Sequence, residues 1–160
     1  MATNFLYAAG TDGFIATPFN LQTTELNSLA SGNTIISSVG GSSGVFSQTQ
    51  TLAAMWAIIS FLAGGSFTPT GSPFLSGWFV SKADDGHFEK LISNTAPPRS
   101  PDFVIPLFAS AYAANDLALC QGGLVRLPPN LFEVLIQNNS GVALPSSGNK
   151  IICGPVAAQY

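Results

Sequence analysis

Hydrophobic and polar positions alternate most clearly near the C-terminus. Along residues 131–137, Phe132, Val134 and Ile136 share one face while Glu133 and Gln137 stand on the other. Period-two alternation of aromatic and branched side chains predicts a half-buried strand. The Pro128-Pro129 pair stops whatever precedes it, and Asn138, Asn139, Ser140 and Gly141 tolerate turn geometry, so a reversal is expected there. Such a strand needs a sheet and a core, which the rest of the chain must supply.

Other segments repeat the pattern. Residues 5–7 read as a first strand, and Thr11-Asp12-Gly13 turns the chain into a second over 14–17. Residues 23–29 have helical or turn character. Residues 34–39 are β-branched and broken by Gly40-Gly41-Ser42-Ser43-Gly44, after which 45–49 resume as strand. The run 52–63 fits a helix face (Leu52, Met55, Trp56, Ile59, Leu62) but also a strand buried on both sides. Its flanks carry no N-cap box and no last-turn cations, so a strand is expected, covered by the opposing sheet on one face and by another subunit on the other.

Further on, 74–82 places Trp78 and Val80 on one face and Phe79 on the other. Asp84-Asp85-Gly86 then turns the chain into a hairpin partner over 87–92. A Pro-rich loop over 93–101 carries Arg99. Short strands follow at 103–108, 118–120 and 122–127, and the last spans 150–155. Many short strands punctuated by Gly, Pro and Asn, with almost no amphipathic helix, predict an all-β fold. The expectation is one antiparallel β-sandwich, jelly-roll-like, spanning residues 1–160, with roughly the first fifty as an arm or partner-contacting portion.

Composition changes the picture of the surface. Charged residues make up 8% of the chain and hydrophobic ones 46%; roughly a quarter charged is usual. Such a surface solvates itself through Ser, Thr, Asn and backbone, or is covered by neighbours, so self-association is expected. The net charge of -3 and scattered basic residues leave no stripe for specific nucleic-acid binding. No signal peptide is read at the N-terminus, and the apolar run is too short for a membrane span. Cys120 and Cys153 lack metal-type spacing and are expected as reduced, buried side chains.

Candidate chemistry is thin. Gly40-Gly41-Ser42-Ser43-Gly44 matches G-x-S-x-G formally, but no helical pattern follows Ser42 in the sequence and His87 is the chain's one histidine; the motif needs a strand–turn–helix elbow. Asp84, Asp85, His87 and Glu89 form the densest set of possible metal ligands, yet Asp-Gly is what a hairpin requires anyway. No catalytic, cofactor-binding or metal residue is therefore assigned. Trp56, Trp78, Phe61 and Phe79 are expected in the core rather than on a sugar-stacking platform. Asn138-Asn139-Ser140 matches a glycosylation sequon but reads as turn chemistry. Arg99, Asp102 and Arg126 are candidate members of inter-subunit ion pairs.

The second half resembles small virion structural proteins of tailed bacteriophages, the β-sandwich type associated with capsid decoration or cementing. The pieces that carry the resemblance are Ala63-Gly-Gly-Ser-Phe-Thr-Pro-Thr70, Gly77-Trp-Phe-Val80 with Asp84-Asp-Gly86, and Arg126-Leu-Pro-Pro-Asn-Leu-Phe-Glu-Val-Leu-Ile-Gln-Asn-Asn-Ser-Gly141 running on into Ala143-Leu-Pro-Ser-Ser-Gly-Asn-Lys150. The resemblance covers roughly residues 52–160, about two thirds of the chain. None is catalytic; their order and spacing carry the likeness. The resemblance implies a non-enzymatic virion protein without cofactor, made in the host cytoplasm and placed on the capsid surface. Its expected partners are itself, as a trimer, and the major capsid protein, whose neighbouring subunits it would brace. A tail, collar or fibre component and a carbohydrate-binding β-sandwich module are the alternatives.

Overall fold

A computed structural model of the chain describes residues 4–7, 19–36, 56–81, 95–128 and 132–159. These residues form ten strands: β1 (Asn4–Tyr7), β2 (Phe19–Gln22), β3 (Thr34–Ile36), β4 (Trp56–Leu62), β5 (Phe74–Ser81), β6 (Phe103–Pro106), β7 (Leu117–Leu119), β8 (Val125–Arg126), β9 (Phe132–Asn139) and β10 (Lys150–Gln159). A single 3-10 turn, Thr24–Leu26, stands in the segment expected to be helical or turn-like. The described residues contain no α-helix.

Two antiparallel sheets pack against each other as a β-sandwich. The larger has the order β1-β10-β4-β7, with β2 also pairing β10 and β8 pairing β4; the smaller has the order β3-β9-β5-β6. The ambiguous apolar run is a strand. Along β4, Ala57, Ile59 and Phe61 are fully buried, whereas Trp56, Ile58 and Leu62 point the other way and are only partly covered. Alternate residues therefore face the facing sheet and the outside, which no helix could arrange from these positions.

The smaller sheet supplies Leu75, Phe79, Phe103, Val134 and Ile136 to the same core. Phe79 sits centrally, its ring tilted against Phe103 and edge-on to Phe132, with centroids 5.3 Å away in each case. Gly77 lies on this inward face opposite Phe103, and a Cβ there would overlap the Phe103 ring. The ring thus fills the space the glycine leaves, an aromatic packed over a strand glycine.

Two asparagines tie the loops to this frame. Asn149 donates to Pro145 O at 2.6 Å and to Asn27 Oδ1 at 3.2 Å, and its Oδ1 accepts from Gly64 N–H at 3.1 Å. Gly64 is consequently pressed against residues 147–149, where any Cβ would meet backbone atoms. Asn138 is fully buried. Its Nδ2 donates to Leu29 O (2.7 Å) and Val142 O (2.8 Å), and its Oδ1 accepts from Ser140 N–H (2.9 Å).

Several expectations are corrected. Asn138 and Asn139 are the last two residues of β9, not a turn: β5 flanks the strand that far, pairing Leu75 with Asn138 and Phe74 with Asn139. The face of β9 opposite the core is not uniformly wet, because Leu135 is buried between the half-buried Glu133 and Gln137. β2 was not expected at all; Leu21 drives it into the core from a four-residue strand after Pro18. β7 covers 117–119 rather than 118–120, and β10 runs to Gln159 rather than stopping at 155. The strands expected over 14–17, 45–49 and 87–92, and the second half of 34–39, lie outside the described residues.

Candidate functional site

Two features of the surface could engage a partner, and both follow from how the strands end. The first is the edge of the smaller sheet. β6 accompanies β5 only from Phe74 to Gly77, while β5 continues to Ser81. Beyond Gly77 the strand would present an open edge, the exposed donor and acceptor row that invites another chain. Asp102 N–H still donates to Gly77 O at 2.8 Å, the final backbone bond of the ladder. After that, side chains take over. Asp102 Oδ2 accepts from Phe79 N–H at 2.7 Å, and Arg99 Nη2 donates to Phe79 O at 2.8 Å. Arg99 Nη1 closes the device on Asp102 Oδ2 at 2.9 Å, and Trp78 Nε1 donates to Arg99 O at 3.1 Å.

An arginine and an aspartate three residues apart thus mimic one residue of a neighbouring strand. Arg99 and Asp102, the candidates for inter-subunit pairs, pair within the chain with each other and with the backbone of Phe79. Arg126 does not join them by hydrogen bond. It lines, with Arg99, Asp102 and Leu127, an open cleft of about 390 Å³ beside the capped edge.

The second feature is the outer face of the larger sheet. Trp56, Ile58 and Leu62 on β4, Leu117 and Leu119 on β7, and Ile152 on β10 occupy it by strand alternation. Trp56 is 40% exposed, Leu117 53% and Leu119 55%. Across β4, Leu119 lies opposite Ser60 and Leu117 opposite Leu62, with Ile152 and Lys150 on the far side of the same two residues. The alternation in β7 is large–small–large, and its small member, Ala118, is the one turned inward. Near this face Phe108 is 76% exposed, and a shallow pocket of about 210 Å³ is lined by Phe108, Tyr112, Asp116 and Leu117. Exposed leucines and a tryptophan on one face of a sheet form the kind of apolar surface that marks an interaction site.

The sequence-based candidates divide accordingly. Phe61, Phe79 and Trp78 are buried, whereas Trp56, expected in the core, is an outer-face residue because β4 turns it away from Ala57 and Ile59. Ser42, Asp84, Asp85, His87 and Glu89 lie outside the described residues. Among the described residues, no group of three His, Cys, Asp or Glu side chains could hold a metal ion, and no helix is long and apolar enough to cross a membrane. Cys120 and Cys153 are free and buried in the core; burial, with Cys120 close by, pushes the Cys153 thiol up to about 12, so it stays protonated. Glu133, half-buried on the outer face of the smaller sheet, has its carboxyl raised above the usual range by desolvation.

A second apolar face on β4 was expected; its extension onto β7 was the feature sequence reasoning missed. Its signal was present in Leu117-Ala118-Leu119, where the small residue marks the core side. Compared with models of known families, with curated proteins and with solved structures, the chain matches none.

Proposed function

We propose that this chain is a non-enzymatic structural protein of a tailed-phage virion, a capsid decoration protein that braces neighbouring subunits of the major capsid protein. The observation that carries the proposal is the apolar outer face of the larger sheet, displayed on a compact β-sandwich with very little charge. Surfaces of that composition suit permanently buried, salt-tolerant contacts, which are more hydrophobic than transient ones. The resemblance of residues 52–160 to virion proteins of the decoration type points the same way. The capped edge of β5 fits a module made in quantity at high local concentration, where an open edge would lead to uncontrolled strand pairing. Each copy works by contacting more than one capsid subunit, so that opening the shell requires several contacts to break together.

The copy number and position of the chain in purified particles test this. A number comparable to that of the shell protein, spread over the capsid surface, is expected. A few copies confined to the tail or collar would make it a component of those structures instead, and absence from the particle would end the proposal.

A further inference from the structure

We infer that the seam between β6 and β7 is held open as a slot for an extended segment of a partner polypeptide, which adds to the free edge of β7 at Leu117. This contact deepens the proposed bracing and rests on that reading only for the partner's identity, the shell protein.

β6 and β7 belong to different sheets and meet at one corner of the sandwich. Gln121 N–H donates to Val104 O at 2.7 Å. Further along, Phe108 and Leu117 line one shallow pocket. Numbers rise on one strand while they fall on the other, so the two run antiparallel, with Pro106 opposite Leu119 and Phe108 opposite Leu117. Alternation aims their backbone groups at each other. Ala63 N–H donates to Asp116 O and Cys120 N–H to Ile59 O, so in this register the groups of Leu117 and Leu119 point away from β4. Leu107 N–H donates to Pro73 O, so those of Val104 and Pro106 point away from β5.

A ladder is therefore positioned to zip from Gln121 to Leu117, yet β6 and β7 are not paired. Two residues on the β6 side account for this. Pro106 has no N–H to offer Leu119 O. Phe108 N–H is taken by Tyr112 Oη at 3.0 Å. Tyr112 is held in place in turn: it is buried, exchanges backbone bonds of 2.8 and 3.2 Å with Phe67, and keeps its ring 5.1 Å from the Phe67 ring. Among the described residues nothing takes up the N–H and C=O of Leu117.

A donor and an acceptor set side by side in strand geometry recognise another extended backbone. The pocket beside them agrees in size. At about 210 Å³ it is smaller than the roughly 300–1,000 Å³ that encloses a whole small ligand. It suits one side chain of a segment whose backbone continues along β7. Leu117 and Leu119, both exposed, offer that segment apolar cross-strand neighbours, so its matching residues are β-branched or aromatic at alternate positions. The treatment of the other edge points the same way. Beyond Gly77, Arg99 and Asp102 occupy the backbone groups of Phe79. At β7 the nearest carboxylate, Asp116, is turned instead to Ala113 N–H at 2.7 Å. One edge is closed against strands, and the other is left for one.

Amide NMR spectra of the full chain test both halves of the inference. Hydrogen exchange at Leu117 should be at least about tenfold faster than at Ala118, whose N–H faces Phe61. A short capped peptide alternating threonine and valine is the probe, and its binding should shift the amides of Leu117 and Phe108 first. The same peptide N-methylated on alternate residues should bind at least about tenfold more weakly, because main-chain bonds carry the affinity. Leu117→Pro deletes the open donor at an edge position where proline is tolerated; it should abolish binding, while Leu117→Val keeps it. Pro106→Val with Tyr112→Phe supplies both missing donors on β6 and should weaken the peptide several-fold, melting curves showing each variant folded. Slow exchange at Leu117, shifts confined to other strands, equal binding of the N-methylated peptide, or full binding by the double variant would overturn the inference. So would a two-chain mass lost in Leu117→Pro, which would put a second copy in the slot. The slot is read on the isolated protein and copy number on the particle, so either result can fail without the other.

Discussion

Replacing Asn138 by alanine separates the role of one buried amide from the turn chemistry that its sequence context suggests. The side chain is fully buried and makes three hydrogen bonds, two as donor and one as acceptor. The two carbonyls it serves have second donors: Leu29 O also accepts from Leu144 N–H, and Val142 O from Ser140 Oγ. Ser140 N–H, itself buried, loses the Asn138 Oδ1 acceptor. An orphaned buried donor costs about 1–3 kcal/mol, and each of the two lost donor bonds about 0.5–1. Asn138→Ala should thus destabilise by about 3 kcal/mol. For a chain of this length that lowers Tm by about 6–12 °C.

The neighbouring Asn139 is the control. It is half-buried and reaches Ser76 Oγ at 3.4 Å and Gln137 Oε1 at 3.2 Å, so Asn139→Ala should cost under about 1 kcal/mol. Urea titrations followed by tryptophan fluorescence measure both. Equal costs at the two positions, or a loss below about 1 kcal/mol at Asn138, would refute the register that ends β9 at Asn139.

Other substitutions probe other joints of the fold. Gly64→Ala sets a methyl group against the backbone of residues 147–149 and should destabilise by several kcal/mol, or abolish soluble expression, in thermal melts that leave Gly71→Ala far less affected. Asp102→Ala removes the acceptor for Phe79 N–H and the partner of Arg99; about 2 kcal/mol should be lost, with faster aggregation by light scattering, and Asp102→Asn should recover part of both. Glu133 has a raised carboxyl, so the folded state binds its proton more tightly than the unfolded chain does. Its contribution is most favourable below the ordinary carboxylate range and is lost as pH rises through the raised value. Glu133→Gln should therefore stabilise at neutral pH and remove the fall in stability with rising pH that Glu133 contributes above the ordinary carboxylate range.

The frame was legible where alternation was undisturbed. Phe132, Val134 and Ile136 announced β9, and the apolar run announced β4 once capping signals were found wanting. What escaped notice depended on tertiary partners. Asn138 looks like a turn residue because its short amide competes for backbone groups in unfolded chains. In the fold that same amide satisfies backbone groups brought from residues 29 and 142, one of them over a hundred positions away in sequence. Arg99 and Asp102 were recognisable as a pair-forming set, but their target, the backbone of Phe79, exists only because β6 ends two residues early. Trp56 resembled a core residue by composition; its exposure is set by which face of β4 meets the smaller sheet. Leu117 and Leu119 flank an alanine, and the inward face could have been assigned from that alone.

The proposed bracing of a capsid is tested most directly on particles assembled with and without this chain. Heating both while following DNA release should show release at a lower temperature from particles that lack it, with recovery when purified protein is added back. Release at the same temperature from both, or no recovery despite binding, would contradict the proposal.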